Sequence, residues 1–186
     1  MSVVLLGALS IGAAAPGVAR KREEARLDKA ASALAGTPVQ VRCQTLGGAF
    51  VDAVAELGYV RYGADGKPEH RTLIKHEQCA DLAAYLRSSK HRPSRSQIVA
   101  VHVLTHESMH MAGLTDEVTA ECAAVQRDSR TARLLGANPA DARLLAQAYW
   151  RTLYPRMPDD YRSPDCAPGR SLDERLADAP WLPAAG

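Results

Sequence analysis

The chain has 186 residues, of which 46% are hydrophobic and 24% are charged, enough for one domain with its own core. Its 23 basic and 21 acidic side chains leave a net charge of +2, and the basic residues form no distinct face. The charge balance therefore gives no support for nucleic-acid binding.

The chain begins with an uncharged segment, residues 1–19, whose run Val3–Leu9 is apolar enough for the core of a signal peptide. Gly17 and Ala19 provide small side chains at the two positions that a signal peptidase recognises. The basic start typical of such peptides is missing, and Arg20-Lys21-Arg22 follows at once, so the alternative is a retained membrane anchor. We expect a cleaved signal peptide, secretion to an extracytoplasmic compartment and one mature domain over residues 20–186.

The predicted domain combines short strands with longer helices, and its 5% aromatic content means that aliphatic side chains fill the core. In chain order the patterns predict a charged helix 20–34, strands 39–43, 58–62 and 71–74, and helices 77–88, 94–112, 116–135 and 138–154. A turn between the second and third strands makes them a hairpin, and the Pro-rich end is irregular. The expected fold class is α+β, predominantly helical, with a small antiparallel sheet beside the long central helix.

The central helix carries His106-Glu107-Ser108-Met109-His110, which has the form H-E-x-x-H. Residues four apart project from one helix face, so the two imidazoles can share one zinc ion. Glu107 lies beside the first ligand, where its carboxylate can take a proton from a zinc-bound water. A plain core helix would rarely bury three such polar residues together, because each needs a partner.

Both ends of the central helix are marked in the sequence. Ser94 and Gln97 form a capping box after a proline, and Gly113 suits a left-handed C-terminal cap. His102 lies one turn before His106 on the same face, where a histidine is more often a hydrogen-bonded core residue than a ligand. The pattern predicts one buried helix of about five turns.

A catalytic zinc ion usually has three protein ligands and an open position for water. Three carboxylates follow the motif: Asp116, Glu117 and Glu121. Thr115 is a good N-cap, so a second helix is expected to fold back on the first. Glu117 then lies in its first turn and Glu121 one turn later, level with His106 if the hairpin is tight. The residues alone leave the choice among the three acids open.

Two family resemblances bear on that choice. The stretch from His106 to Asp116 resembles H-E-x-x-H-x-x-G-x-x-D of snapalysin-type metzincins, in which the aspartate is the third ligand. The stretch that begins at Glu117 resembles the E-x-x-A-D-C-x-A element of gluzincin-type zinc metallopeptidases, with Glu121 where that family has aspartate. Only six residues separate His110 from Glu117, fewer than in most gluzincins. The gluzincin resemblance is the closer one, because the chain continues as helix without a Met-turn.

The gluzincin resemblance implies a small zinc metallopeptidase that hydrolyses peptide bonds through a zinc-activated water. It implies that Zn²⁺ is bound by three residues, His106, His110 and Glu117. Glu107 is then the general base, and Glu121 orients a ligand histidine through its second ring nitrogen. Asp116 remains the alternative ligand of the metzincin resemblance. An oxyanion donor is also needed, and no pattern selects one among Tyr149, Tyr154, Tyr161 and Arg162.

Many zincins place a sheet beside the active-site helix, and an edge strand of that sheet can pair with an extended peptide. If this carries over, the partner is a peptide or protein substrate that binds the strand near Val39, Tyr59 or Leu73. The sequence favours none of the three.

The chain has four widely spaced cysteines and no C-x-x-C pair, which suits two disulfides in an oxidising compartment better than a zinc ribbon. Neighbouring positions in the sequence suggest the pairs Cys43–Cys79 and Cys122–Cys166. The second pair would tie the zinc-bearing hairpin to the C-terminal tail.

Two other functions are compatible with the sequence. The first is a zinc-binding module without turnover, whose shell is closed by His102 or by both Glu117 and Glu121. The second is a disulfide-stabilised secreted interaction domain that binds no metal.

Overall fold

The computed structural model describes residues 16–45 and 57–181. Most of the predicted signal segment lies outside these ranges. None of the described helices combines the length and the apolar character needed to cross a membrane.

The described chain has one helix, then three consecutive strands, then a series of helices, in the order that the sequence predicts. They are α1 Pro16–Ala35, β1 Gln40–Cys43, β2 Gly58–Tyr62, β3 Pro68–Ile74, α2 His76–Arg87, α3 Arg95–Met111, α4 Glu117–Val125, α5 Asp128–Leu134 and α6 Pro139–Thr152, followed by a 3₁₀ turn, Tyr154–Arg156. The predicted α+β fold, mostly helical with a small sheet beside the central helix, is confirmed.

The central helix α3 contacts the sheet and all the other described α-helices, and it is buried without interruption over residues 100–111. Its first turn has the predicted capping box: the Ser94 hydroxyl accepts from the Gln97 N–H, and the Gln97 side chain accepts from the Ser94 N–H. Past its C-terminus, Gly113 adopts φ +105°, which glycine tolerates without strain. This turn brings α4 back against α3.

The sheet has the strand order β1-β3-β2. The predicted hairpin is confirmed, because β2 and β3 pair antiparallel, with Val60 opposite Thr72. β1 occupies the other edge of β3 and runs parallel to it, with Val41 opposite Thr72. The sheet is therefore mixed and not wholly antiparallel as expected.

The outer edge of β1 is closed by α1. Three α1 side chains, spaced four residues apart on one helix face, accept the outward N–H groups of the strand: Ser32 from Val39, Asp28 from Val41 and Glu24 from Cys43. α1 thus takes the place of a fourth strand. Within the described ranges β2 pairs with β3 alone, so the other edge of β2 lacks a strand partner there.

The helix expected over residues 116–135 is two helices. α4 begins after Asp116, whose side chain accepts from the Thr119 N–H, so the N-cap is Asp116 and not Thr115. At the end of α4 the Gln126 side-chain amide donates to the Cys122 carbonyl at 3.0 Å and to the Leu172 carbonyl of the C-terminal tail at 2.9 Å. Arg127 leaves the regular helix at φ −110°, ψ −3°. A contact with a remote segment accompanies the break, and no proline or glycine marks it in the local sequence.

Both predicted disulfides are confirmed. Cys43–Cys79 joins the end of β1 to α2, and Cys122–Cys166 joins α4 to the tail. The two bridges use all four cysteines and suggest an extracytoplasmic location.

Candidate metal centre

Three side chains converge where α3 turns back into α4. His106 and His110 lie on successive turns of α3, and their Nε2 atoms are 2.9 Å apart. Glu117, in the first turn of α4, places Oε2 3.1 Å from His106 Nε2 and 3.3 Å from His110 Nε2. The structure therefore brings together the three residues that the gluzincin resemblance implies as zinc ligands.

The second ring nitrogens fix the tautomers of the two histidines. His110 Nδ1 lies 2.7 Å from the Leu114 carbonyl oxygen, and His106 Nδ1 lies 3.0 Å from Glu121 Oε2. A carbonyl and a carboxylate oxygen only accept hydrogen bonds, so both Nδ1 atoms carry protons and donate. In the neutral rings the two Nε2 lone pairs then face each other and Glu117.

Such a group of acceptors needs a cation or a proton between its members. Zinc bonds of about 2.0–2.2 Å at tetrahedral angles hold the ligand atoms about 3.3 Å apart, close to the separations seen here. Two imidazoles and a carboxylate are also a donor set that catalytic zinc sites use. The three residues therefore fit a zinc ion, and the described residues include this His/Glu group as one that could hold a metal.

The charges of the cluster already favour a cation. Burial acts to lower the pKa of His106, but hydrogen bonds to Glu117 and Glu121 outweigh it and raise the pKa to about 9. Hydrogen bonds from His106 and His110 hold the pKa of Glu117 at about 2. The negative charges of Glu117 and Glu121 favour the proton on His106. The same charges would attract a metal cation to this place.

Glu107 is held on the sheet side of the cluster and is buried. The Thr72 hydroxyl of β3 donates to Glu107 Oε2 at 3.1 Å. Gly58 of β2 approaches so closely that a Cβ there would lie 3.0 Å from Glu107 Oε1. Burial raises the pKa of the Glu107 carboxyl. The predicted general base is thus fixed between the helix and two strands.

The other two predicted acids have different surroundings. Glu121 is 1% exposed and accepts from His106 Nδ1, so it contacts the side of the ring opposite the Nε2 cluster. Asp116 is exposed, and its Oδ1 accepts from both the N–H and the hydroxyl of Thr119. Its capping role keeps Asp116 out of the His/Glu groups that could hold a metal among the described residues.

A polar cluster continues behind His106. Glu121 Oε2 also accepts from His102 Nε2 at 2.9 Å, and Glu121 Oε1 accepts from the Tyr149 hydroxyl at 2.8 Å. His102 Nδ1 lies 2.9 Å from Asp128 Oδ2. The sequence suggested His102 as a core residue or as the closing ligand of a zinc-binding module, and Tyr149 only as a possible oxyanion donor; it gave no indication of Asp128. The only sequence signal was the four-residue spacing of His102 and His106.

A cleft of about 500 Å³ opens over the Nε2 cluster. One wall is β2, including Tyr59 and Tyr62, and the other is formed by tail residues 157, 158 and 161. The Tyr62 hydroxyl lies 3.4 Å from His110 Nδ1, and the ring centroid of Tyr161 lies 5.8 Å from that of His106. The Glu117 side chain is 43% exposed, so the cluster is accessible from the cleft.

Comparisons of the chain with protein-family models, with curated proteins and with solved structures give no match. Its function is therefore inferred from the chemistry of the residues just described.

Proposed function

We propose that this protein is a zinc-dependent metallopeptidase of the gluzincin type. One observation carries the proposal: His106 Nε2, His110 Nε2 and Glu117 Oε2 converge within 2.9–3.3 Å of one another beside the buried carboxylate of Glu107. The order of these residues along the chain, H-E-x-x-H followed by glutamate on the next helix, is that of the gluzincin resemblance.

His106, His110 and Glu117 would hold Zn²⁺, which when bound acts as a Lewis acid on a carbonyl group and lowers the pKa of water to about 7. Glu107 takes a proton from the attacking water and passes it to the leaving amine. Thr72 and Gly58 keep the Glu107 carboxylate in one place for both transfers. Burial raises the pKa of the Glu107 carboxyl, which helps one group to accept a proton and then to donate it.

The substrate in this proposal is an extended peptide or protein segment that pairs with β2. β3 is the central strand, and α1 closes the outer edge of β1. β2 lines the cleft, and no strand of the described chain pairs with its second edge. Main-chain hydrogen bonds along β2 would align the peptide with the cleft, while the tail wall contacts its side chains.

Secretion is the second part of the proposal. The two disulfides support an extracytoplasmic location, and the apolar residues 3–9 support export through a signal peptide. A membrane-anchored form is the alternative. Mass spectrometry of the amino terminus of the exported protein distinguishes them, because cleavage removes residues 1–19.

The test is a Glu107→Gln variant, measured for zinc content by elemental mass spectrometry and for hydrolysis of a mixed peptide library. We expect about one zinc ion per chain, as in the wild type, and a kcat/KM lower by about 10²–10⁴-fold because the proton acceptor is lost. His110→Ala should lose the zinc, and Glu69→Gln, on the exposed part of β3, should behave as wild type.

Undiminished hydrolysis by Glu107→Gln, or zinc retained in full by His110→Ala, would overturn the proposal. Zinc binding without hydrolysis of any peptide would instead favour the zinc-binding module. The structure supports that alternative less, because Glu121 accepts from Nδ1 of His106, on the other side of the ring from the Nε2 cluster, and His102 hydrogen-bonds to Glu121 rather than to His106.

A further inference from the structure

Four buried polar side chains connect to His106 through its Nδ1 atom, and two of them, His102 and Glu121, also line the cleft. Glu121 comes from α4, Asp128 from α5, Tyr149 from α6 and His102 from α3 itself; we call them the buried polar cluster. All four are at most 3% exposed. Polar groups buried this deeply are retained at a cost, so their arrangement calls for a role.

The hydrogen bonds of the buried polar cluster form one chain that ends at His106. Asp128 Oδ2 lies 2.9 Å from His102 Nδ1, and His102 Nε2 lies 2.9 Å from Glu121 Oε2. The same Glu121 oxygen lies 3.0 Å from His106 Nδ1. Tyr149 donates to the other Glu121 oxygen at 2.8 Å, and its ring stacks on His102 with centroids 3.6 Å apart.

These contacts remove the rotational freedom of Glu121. Both of its oxygens are engaged: Oε2 accepts from two ring N–H groups of α3, and Oε1 accepts from a phenol of α6. An acceptor fixed in this way also fixes the ring plane and the tautomer of His106. Outer partners of a ligand histidine commonly control metal affinity through this kind of constraint.

We propose that His102, Asp128 and Tyr149 are positioning residues of the metal centre: through Glu121 they hold His106 with its Nε2 directed at the metal ion. The inference rests on the proposed function only in requiring that His106 binds a metal. The gluzincin resemblance implies only that Glu121 orients a ligand histidine; the inference adds the three residues that hold Glu121 itself.

The fold supplies a matched control for a merely structural role. Thr105 and Thr131 are also fully buried, and their hydroxyls lie 2.8 Å apart. This pair joins α3 to α5, as His102 and Asp128 do. Thr105 also hydrogen-bonds to Asp128, whereas the Thr131 hydroxyl contacts Thr105 and the Arg127 carbonyl. A variant of Thr131 therefore disturbs the same helix contact and leaves the hydrogen bonds of His102, Glu121 and His106 in place.

The experiment compares Asp128→Asn, His102→Gln, Tyr149→Phe and Thr131→Val in the full chain. Zn²⁺ affinity is measured by competition with a chromophoric chelator, and the d–d absorption of Co²⁺-loaded protein reports the ligand geometry. We expect the first two variants to bind Zn²⁺ about tenfold more weakly, within the range known for outer partners, and to alter the Co²⁺ spectrum. Tyr149→Phe keeps the stacked ring and should show a smaller loss. Thr131→Val should lower only the unfolding temperature.

Wild-type Zn²⁺ affinity and an unchanged Co²⁺ spectrum in the folded variants would overturn the inference. Tyr149→Phe removes only one hydroxyl, so it keeps this test available if Asp128→Asn and His102→Gln fail to fold. Two zinc ions per wild-type chain, one of them lost in His102→Gln, would also overturn it, because His102 would then be a ligand. If these losses are seen while Glu107→Gln hydrolyses normally, the proposed function fails and this inference stands.

Discussion

Gly58 is in contact with the group proposed to move protons. A Cβ at this position would lie 3.0 Å from Oε1, 3.1 Å from Cγ and 3.2 Å from Cδ of Glu107. The Glu107 carboxylate cannot retreat easily, because it is buried and Thr72 holds its other oxygen. The absent side chain at Gly58 is therefore part of the geometry of the site.

Gly58→Ala should displace the Glu107 carboxylate by a few tenths of an ångström without touching the metal ligands. We expect kcat/KM to fall about tenfold, less than the roughly 10²-fold cost of a 1 Å misplacement, with zinc content unchanged. Steady-state kinetics and elemental analysis check this. Glu69→Gln, on the exposed part of β3, is the control. Equal kcat/KM values for the two variants would refute the role of Gly58.

At the scale of residues, the sequence predicted the site residues that lie on one helix face or within one short helical hairpin. The four-residue spacing places His106 and His110 together because a helix has only one geometry. Glu117 follows within seven residues, inside a tight hairpin. Asp128 could not be foreseen, because it reaches His102 across 26 residues of chain. Contacts of that range depend on packing, which has no local signature.

Among the elements, α1 replaces a strand by offering side-chain acceptors to the edge of β1. Val41 is fully buried, and its N–H donates to Asp28 at 2.6 Å. Asp28 also forms an ion pair with Arg42. A missing acceptor would leave the Val41 N–H buried and unpaired.

Asp28→Ala should lower the free energy of unfolding by about 1–3 kcal/mol, the usual cost of a buried donor without a partner. Urea unfolding followed by circular dichroism measures the change. Glu23→Ala, on the same helix, breaks only a surface ion pair with Arg87 and should cost less than about 1 kcal/mol. Similar losses in the two variants would show that α1 is not the edge cap of the sheet.

The sequence predicted which helices and strands form, but it predicted neither the direction of β1 in the sheet nor the point at which α4 ends. Alternation and a turn suffice to predict the β2–β3 hairpin. β1 lies between the second edge of β3 and the acceptor side chains of α1, and it runs parallel to β3. Neither neighbour can be inferred from the alternation of polar and apolar residues within β1. At the end of α4, Gln126 contacts Leu172, which lies 46 residues away in the sequence. Whether a segment forms a helix or a strand depends largely on its local sequence. The direction of a strand in its sheet and the point at which a helix breaks depend on tertiary contacts.

On the scale of the whole molecule, the Cys122–Cys166 bridge fixes the tail that forms one wall of the cleft. The two bridges span similar lengths of chain, 36 and 44 residues. Their contributions to stability should therefore be similar, about 2–5 kcal/mol each. Their effects on substrate binding should differ.

Replacing Cys122 and Cys166 together by serine should lower stability and also raise KM several-fold, because the wall near Tyr161 is no longer tied to α4. Replacing Cys43 and Cys79 should lower stability by a similar amount and leave KM unchanged. Thermal unfolding and steady-state kinetics below the unfolding temperature of both variants separate the two effects. A KM that rises equally in both pairs would contradict the assignment of the tail to the substrate wall.

The closed edge of β1 and the position of β2 also govern how copies of the chain can meet. Two copies that pair through β2 would place each strand across the cleft of the other, and both clefts would be covered. The assembly could not grow further through the described sheet, because α1 blocks its opposite edge. Edge-to-edge association through the described sheet would thus stop at two copies, which is too few to extend into a fibre.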